Sequence, residues 1–237
     1  MSNVAFMSNQ KDQWEESYKN KDNFVFYPHE EVIRFFAKYI NKRTGHNTFS
    51  KKHNQNDLPK VLDLGCGIGR HVIFSNAMQT NAYGVDLSES AIQLAIDWAK
   101  KEGISNAEEK IVQADITKMP FQNDFFDFII SHGVLDSMSQ LNCRNAIIDT
   151  DRILKPGGYF YCDLISGDDS AHNKDFSGEE IVQTEHEKNT IQLYFNRNLI
   201  ASLFSDHFEI VELILIKRTS VLNNQYTSRY HLVLKKK

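Results

Sequence analysis

The sequence predicts a doubly wound α/β fold, a mostly parallel sheet with helices on both faces, and three observations carry that prediction. Short apolar runs alternate with amphipathic segments between residues 60 and 164. A glycine-rich turn follows the first of those runs, and two apolar runs near the end of the chain are joined by a polar turn at Asn223-Asn224.

Apolar residues recur at helical spacing from Gln10 to Tyr18 and again from His29 to Ile40, where Val32, Ile33, Phe36 and Ile40 mark one face. Tyr27-Pro28 separates these two helices, because a residue before proline avoids the helical region. Residues 41 to 60 are polar, basic and without period, and read as a solvated linker. The alternation then gives strand 60–64, helix 69–78, strand 81–86, helix 88–101, strand 110–114, strand 125–131, helix 140–154 and strand 158–164. Gly103 ends the second of these helices, and Pro156-Gly157-Gly158 makes a turn before the last strand. Residues 165–190 lose all pattern and read as a lid-like insertion. A short apolar run at 191–195, a helix at 197–205 and strands at 208–216 and 226–234 complete the chain, the last two as an antiparallel hairpin at the sheet edge. The organisation expected is a cap of N-terminal helices and linker over 1–56, followed by one domain over 57–237.

The 237 residues suffice for a full core, and 41% hydrophobic with 24% charged residues is the composition of an ordinary globule. A net charge of -4 gives no general attraction to nucleic acid. No apolar stretch reaches the length of a membrane span and the polar start has no signal-peptide pattern, so a cytoplasmic location is expected. Cys66, Cys143 and Cys162 lack C-x-x-C spacing and suggest neither disulfides nor a zinc site.

The chemistry is concentrated in Val61-Leu-Asp-Leu-Gly-Cys-Gly-Ile-Gly-Arg70. A side chain at Gly65 or Gly67 would stand where a nucleotide-like ligand must lie, and glycine alone takes positive φ without steric cost. The register differs from the dinucleotide fingerprint G-x-G-x-x-G, since Arg70 stands where its third glycine belongs. Ligands of open α/β sheets bind at the carboxyl ends of strands, where this chain places Asp86 in Gly-Val-Asp-Leu-Ser and Asp115 in Gln-Ala-Asp-Ile.

With Asp63 ahead of the glycines, this run resembles motif I of the class I S-adenosylmethionine-dependent methyltransferases. Pro120-Phe121-Gln-Asn-Asp-Phe-Phe-Asp127-Phe and Leu154-Lys-Pro-Gly-Gly158 resemble that family's later motifs, so the likeness covers residues 57–165 in order. It implies a Rossmann-like, seven-stranded, mostly parallel sheet with an antiparallel C-terminal strand, and S-adenosyl-L-methionine as cofactor. On that resemblance Asp63, Gly65, Cys66, Gly67, Gly69 and Arg70 cradle the cofactor, Asp86 takes the ribose hydroxyls beside Leu87, and Asp115 takes the adenine amino group while Ile116 packs on the ring. Ser131 and His132 close the site from the fourth strand, and Trp14 and Tyr18 cover it from the cap.

His132 is a candidate base, with Asp136 orienting it or binding the substrate, and His172, His186 and Tyr194 are candidate acceptor contacts in or after the lid. Asp127 reads as structural. The Asn-Pro-Pro-Tyr type of sequence carried by base-amino methyltransferases is missing after the fourth strand, where Ser131-His-Gly-Val134 stands, and no acid cluster suggests a metal. The chain resembles the broad group of small-molecule methyltransferases of the ubiquinone and menaquinone biosynthesis type, which implies transfer to an oxygen or nitrogen of a small acceptor. A protein or RNA acceptor docked on the basic linker, and an inactive cofactor-binding regulator, are the alternatives.

Overall fold

The computed structural model describes residues 3–21, 23–53, 56–172, 174–183 and 189–237; His186 lies outside them. A seven-stranded sheet is assembled from β3 (Lys60–Leu64), β4 (Asn81–Asp86), β5 (Ile111–Gln113), β6 (Phe126–Ser131), β7 (Leu154–Ile165), β10 (Phe208–Thr219) and β11 (Tyr226–Lys236). Their spatial order is β10-β11-β7-β6-β3-β4-β5. Strands β3 to β7 run parallel, while β11 is antiparallel to both β7 and β10. The chain winds outward from β3 to β5, then returns to place β6 on the other flank of β3. The strand order therefore reverses between β3 and β6, where α/β sheets open a crevice for ligands.

Every residue of β6 is buried, as expected of a strand covered on both faces. The period of two decides which core each side chain joins. Leu62, Leu64 and Ile129 enter the cluster covered by α6 (Gln140–Ile153) and α7 (Arg197–Phe204), with Phe160, Phe204 and Phe208. Val61, Phe128 and Ile130 enter the opposite cluster with Tyr161 and Val233, which is covered by α2 (Glu30–Phe35) through Val32 and Phe35 and by the π-helical turn Phe36–Ile40. Ile33, expected on that buried face, is instead exposed. A third cluster packs α3 (Arg70–Ala77) and α4 (Glu89–Lys101) on β4 through Val72, Ala82, Ala95 and Ile96. The first helix, α1 (Asn3–Asn20), contacts α4.

Three expectations need correction. The supposed linker 41–60 contains an antiparallel hairpin, β1 (Asn41–Arg43) with β2 (Phe49–Lys51), tied down by Asn41 Nδ2 donating to the Met78 carbonyl (2.8 Å). Three-residue strands with one apolar residue, Phe49, between them leave no period to read. The supposed turn at Pro156–Gly158 is a bulge at the start of β7, since the pairing of Phe126 with Leu154 jumps to Phe128 with Tyr159. The insertion after β7 is not a free lid. Its strand β8 (Gly178–Ile181) pairs with β9 (Ile191–Tyr194), Gly167 N donates to the Phe195 carbonyl, and Asp168 is bonded by Tyr226 and Lys217.

The Asp127 carboxylate accepts the Lys60 amide (2.8 Å) and pairs with Lys155 Nζ (2.6 Å), joining the starts of β3, β6 and β7. Asp127→Ala leaves the half-buried amide of Lys60 without its acceptor. The expected loss is about 1–3 kcal/mol, read as a fall of several degrees in Tm. An unchanged Tm contradicts this role.

Candidate functional site

The turn after β3 is held by its own backbone and by β4. Cys66 N donates to the Val85 carbonyl and Gly67 N to Asp86 Oδ2, both at 2.9 Å. Gly65 and Gly67 sit at φ of +65° and +53°, a region that side chains disfavour. Space is equally restricted: a Cβ at Gly65 would lie 2.5 Å from Val134 Cγ2, and one at Gly67 would lie 2.6 Å from the Tyr18 hydroxyl. The glycines thus admit two neighbours, the loop after β6 and helix α1, onto the turn.

These elements enclose a cavity of about 520 Å³ at the switch between β3 and β6. Of the residues expected from sequence, Gly65, Cys66, Gly67 and Arg70 line it from the turn, Asp86 and Leu87 from the end of β4, and Asp115 and Ile116 from beyond β5. His132 lines it from beyond β6, and Trp14 and Tyr18 from α1. Asp63, Gly69 and Ser131 stand behind the lining: Asp63 and Ser131 are buried, and Gly69 caps α3. Asn23, Val25, Thr117, Val134, Met138 and Asn142 also line the cavity. Their position after strand ends was the available signal for the last four, whereas Asn23 and Val25 carried none.

Asp86 is buried; Oδ1 accepts the Ser88 amide and Oδ2 the Gly67 amide, and burial nevertheless pushes its pKa up to about 6. Glu15 of α1 anchors the helix over this edge by accepting from Ser88 Oγ (2.6 Å) and the Ser90 amide (3.2 Å). Asp115 is exposed, and both of its turn-forming bonds, from Thr117 N and Oγ1 at 2.8 Å, use Oδ1. The loop carrying it is fastened to α6, where Arg152 donates to the carbonyls of Met119 and Phe121 and Asp149 accepts the Met119 amide.

Beneath the turn lies a group of histidines. The His29 amide donates to His71 Nε2 (3.2 Å), which leaves the ring proton of His71 on Nδ1, 3.7 Å from Asp63 Oδ1. Asp63 Oδ2 is buried and has no hydrogen-bond partner among the described residues. The His29 ring lies 4.0 Å from that of His132 and 5.9 Å from that of His231. Burial holds the pKa of His132 down to about 3 and that of His231 to about 4, so both rings are neutral.

Asp136 does not orient His132. Its Oδ2 accepts the Ile165 amide (2.8 Å) and bonds Arg229 Nη2 (2.5 Å). The carboxylate beside His132 is Asp163, with Oδ2 3.5 Å from His132 Nε2 and 2.8 Å from Arg229 Nε, and Oδ1 accepting the Gly133 amide (2.7 Å). The register explains the exchange: Ser131 pairs with Cys162, so the next residue on each strand is a neighbour, while residue 136 has moved along the loop to the start of the insertion. An acid within the apolar run Tyr159-Phe-Tyr-Cys-Asp-Leu-Ile165 was the signal for Asp163. His172 and Tyr194 do not line the cavity; His172 stacks on Phe176 and bonds Asp169 and Glu180.

Arg229 bridges two buried carboxylates. Arg229→Met leaves both without their cation, and the expected loss of stability in guanidinium denaturation is about 3–5 kcal/mol. Adding Asp136→Asn and Asp163→Asn should recover part of it; a loss below about 1 kcal/mol contradicts the bridge.

Residues 55–219 match the family model described as a methyltransferase domain. A sterol 24-C-methyltransferase of Gibberella zeae is 35% identical over 105 residues, 43% of this chain and 26% of that protein. A protein-lysine N-methyltransferase of Saccharomyces cerevisiae is 31% identical over 112 residues, 42% of this chain and 48% of that one. The chain thus spans about half or less of these curated relatives. Among solved structures, the 1,6-didemethyltoxoflavin-N1-methyltransferase of Burkholderia thailandensis, with bound S-adenosylhomocysteine, superimposes with a TM-score of 0.71 at 13% identity, covering 100% of this chain and 91% of that one. Sheet order, glycine turn and family model agree, and the chain belongs to the methyltransferase-domain family.

Proposed function

We propose that the protein transfers a methyl group from S-adenosylmethionine to an oxygen or nitrogen of a small-molecule acceptor. The observation that carries this reading is the single cavity surface on which the glycine turn, two strand-end acids and His132 meet. The residues present fit the cofactor. The buried Asp63 Oδ2, without a hydrogen-bond partner among the described residues, and the cavity-lining guanidinium of Arg70 suit its amino-acid end. Asp86 suits the ribose hydroxyls, and Asp115, Leu87 and Ile116 suit the adenine.

When bound, the sulfonium supplies an activated methyl whose leaving group is a neutral thioether. What remains for the protein is alignment, exclusion of water and removal of one proton. Trp14, Tyr18, Asn23 and Val25 cover the cavity from the N-terminal segment, an enclosure that favours a small acceptor over a protein chain. His132 is the residue on the acceptor side able to receive the proton, and Asp163 positions it. Among the described residues no group of His, Cys, Asp and Glu is arranged to hold a metal ion, and no helix is long and apolar enough to cross a membrane.

Formation of S-adenosylhomocysteine with a panel of phenols, hydroxylated metabolites and nitrogen heterocycles tests the reaction. Turnover is expected with a member of that panel, and His132→Asn should lower kcat about 10²–10⁴-fold with little change in KM. Turnover only with protein substrates contradicts the acceptor class. Absence of S-adenosylhomocysteine binding in calorimetry contradicts the reading altogether.

The acid limb of cofactor affinity follows from Asp86. Ribose hydroxyls donate to the ionised carboxylate, so binding draws on the fraction of Asp86 that is deprotonated. Affinity for S-adenosylhomocysteine should be level above pH 6 and fall about tenfold per pH unit below it. Affinity independent of pH between 5 and 7 contradicts the assignment.

A further inference from the structure

As the site stands, His132 cannot perform the step proposed for it, and the obstacle is Arg70. Arg70 Nη2 lies 3.3 Å from His132 Nδ1. A guanidinium has donors only, so Nδ1 must be the acceptor and its lone pair points at Arg70. The ring proton is then on Nε2, the nitrogen 3.5 Å from Asp163 Oδ2. Neither nitrogen is open to a proton from an acceptor molecule.

Arg70 itself is weakly held. It lines the cavity, and its hydrogen-bond partners among the described residues are this ring and the Tyr27 carbonyl at 3.5 Å. Asp63 and Asp163 act on it only through space. A half-buried guanidinium bonded to a neutral imidazole and one distant carbonyl exchanges those bonds favourably for a carboxylate, which its fork fits with two charge-assisted hydrogen bonds.

We propose that Arg70 is a gate on His132 operated by the cofactor's carboxylate: it covers Nδ1 until that carboxylate arrives, then moves onto it and leaves Nδ1 free for the acceptor's proton. This rests on the reading of the cavity as an S-adenosylmethionine site. In the transfer, the acceptor gives its proton to Nδ1 while its electron pair takes the methyl carbon, whose bond to sulfur breaks with both electrons remaining on sulfur. The base is thereby absent until the methyl donor is in place.

The surroundings of His132 give the sign of the accompanying titration. It is faced by Arg70 and His71 from α3, by His29 from the segment before α2, and by Asp163 from β7, with Arg229 and His231 of β11 behind these. Burial is the largest influence and pushes its pKa down, Asp163 pulls it up, and His29, His71 and Arg70 push it down in decreasing order. Pairing of Arg70 with a carboxylate removes one of the downward pushes and so raises the value.

The test is the nitrogen-15 NMR spectrum of the His132 imidazole at pH 7, where the cofactor site is competent, assigned by its loss in His132→Asn, in protein saturated with S-adenosylhomocysteine or with 5′-methylthioadenosine. The second ligand keeps the nucleoside and lacks the carboxylate. Nδ1 freed from the Arg70 hydrogen bond should resonate downfield with S-adenosylhomocysteine of its position with 5′-methylthioadenosine. In Arg70→Gln that downfield shift should be absent. Equal Nδ1 positions in the unmodified protein, or a downfield shift that survives in Arg70→Gln, overturn the gate while leaving the cofactor assignment intact. Failure of both nucleosides to bind in calorimetry overturns the cofactor assignment and the gate together.

Discussion

The constraint on which this structure turns is that three alternate positions after β3 carry no side chain. Each receives a different part of the molecule: Val134 of the loop after β6 against Gly65, Tyr18 of α1 against Gly67, and Ala95 of α4 against Gly69. The first two contacts form the walls of the cavity, and the third seats the helix that follows β4. Asp86 fixes the conformation by accepting the Gly67 amide, so the acid suited to the ribose also shapes the turn. A side chain at Gly65 or Gly67 displaces a wall, not merely a ligand, and one at Gly69 displaces α4.

The second organising feature is a chain of polar groups running from the insertion to the cavity, the buried Asp136, the half-buried Arg229, the buried Asp163 and then the neutral His132. Burying such groups is poor as a source of stability, because desolvation offsets most of the attraction. Its consequence here is geometric. Arg229 ties β11 to the ends of β6 and β7, and the insertion braces the loop after β6 where Leu193 N and Gln192 Nε2 both donate to the Asp136 carbonyl. His132 is therefore carried on a rim fastened from two sides, whereas Arg70, at the first turn of α3, keeps the freedom that a gate requires.

What the sequence made legible was local in kind. The glycine turn, Asp86 and Asp115 sit at fixed offsets from strands whose apolar runs are unmistakable, and they all reach the cavity wall. The missed features depend on distant parts of the chain meeting. Asp163 becomes the partner of His132 through the register of β6 with β7, and Arg229 arrives from 93 positions beyond Asp136. The hairpin β1–β2 and the strand β8 are too short and too polar to carry a hydrophobic period, and they are placed by backbone pairing and by a few contacts to distant parts of the chain. The covering of His132 by Arg70 was hidden for the same reason, since adjacency in space to residue 70 is set by the switch between β3 and β6.

The central claim is that the cavity holds S-adenosylmethionine in one orientation, and a crystal structure with S-adenosylhomocysteine tests it most directly. The account predicts the adenine amino group on Asp115, the ribose hydroxyls on Asp86 and the carboxylate on Arg70, with the guanidinium withdrawn from His132. A ligand bound elsewhere, or reversed so that its carboxylate lies towards Asp115, contradicts it.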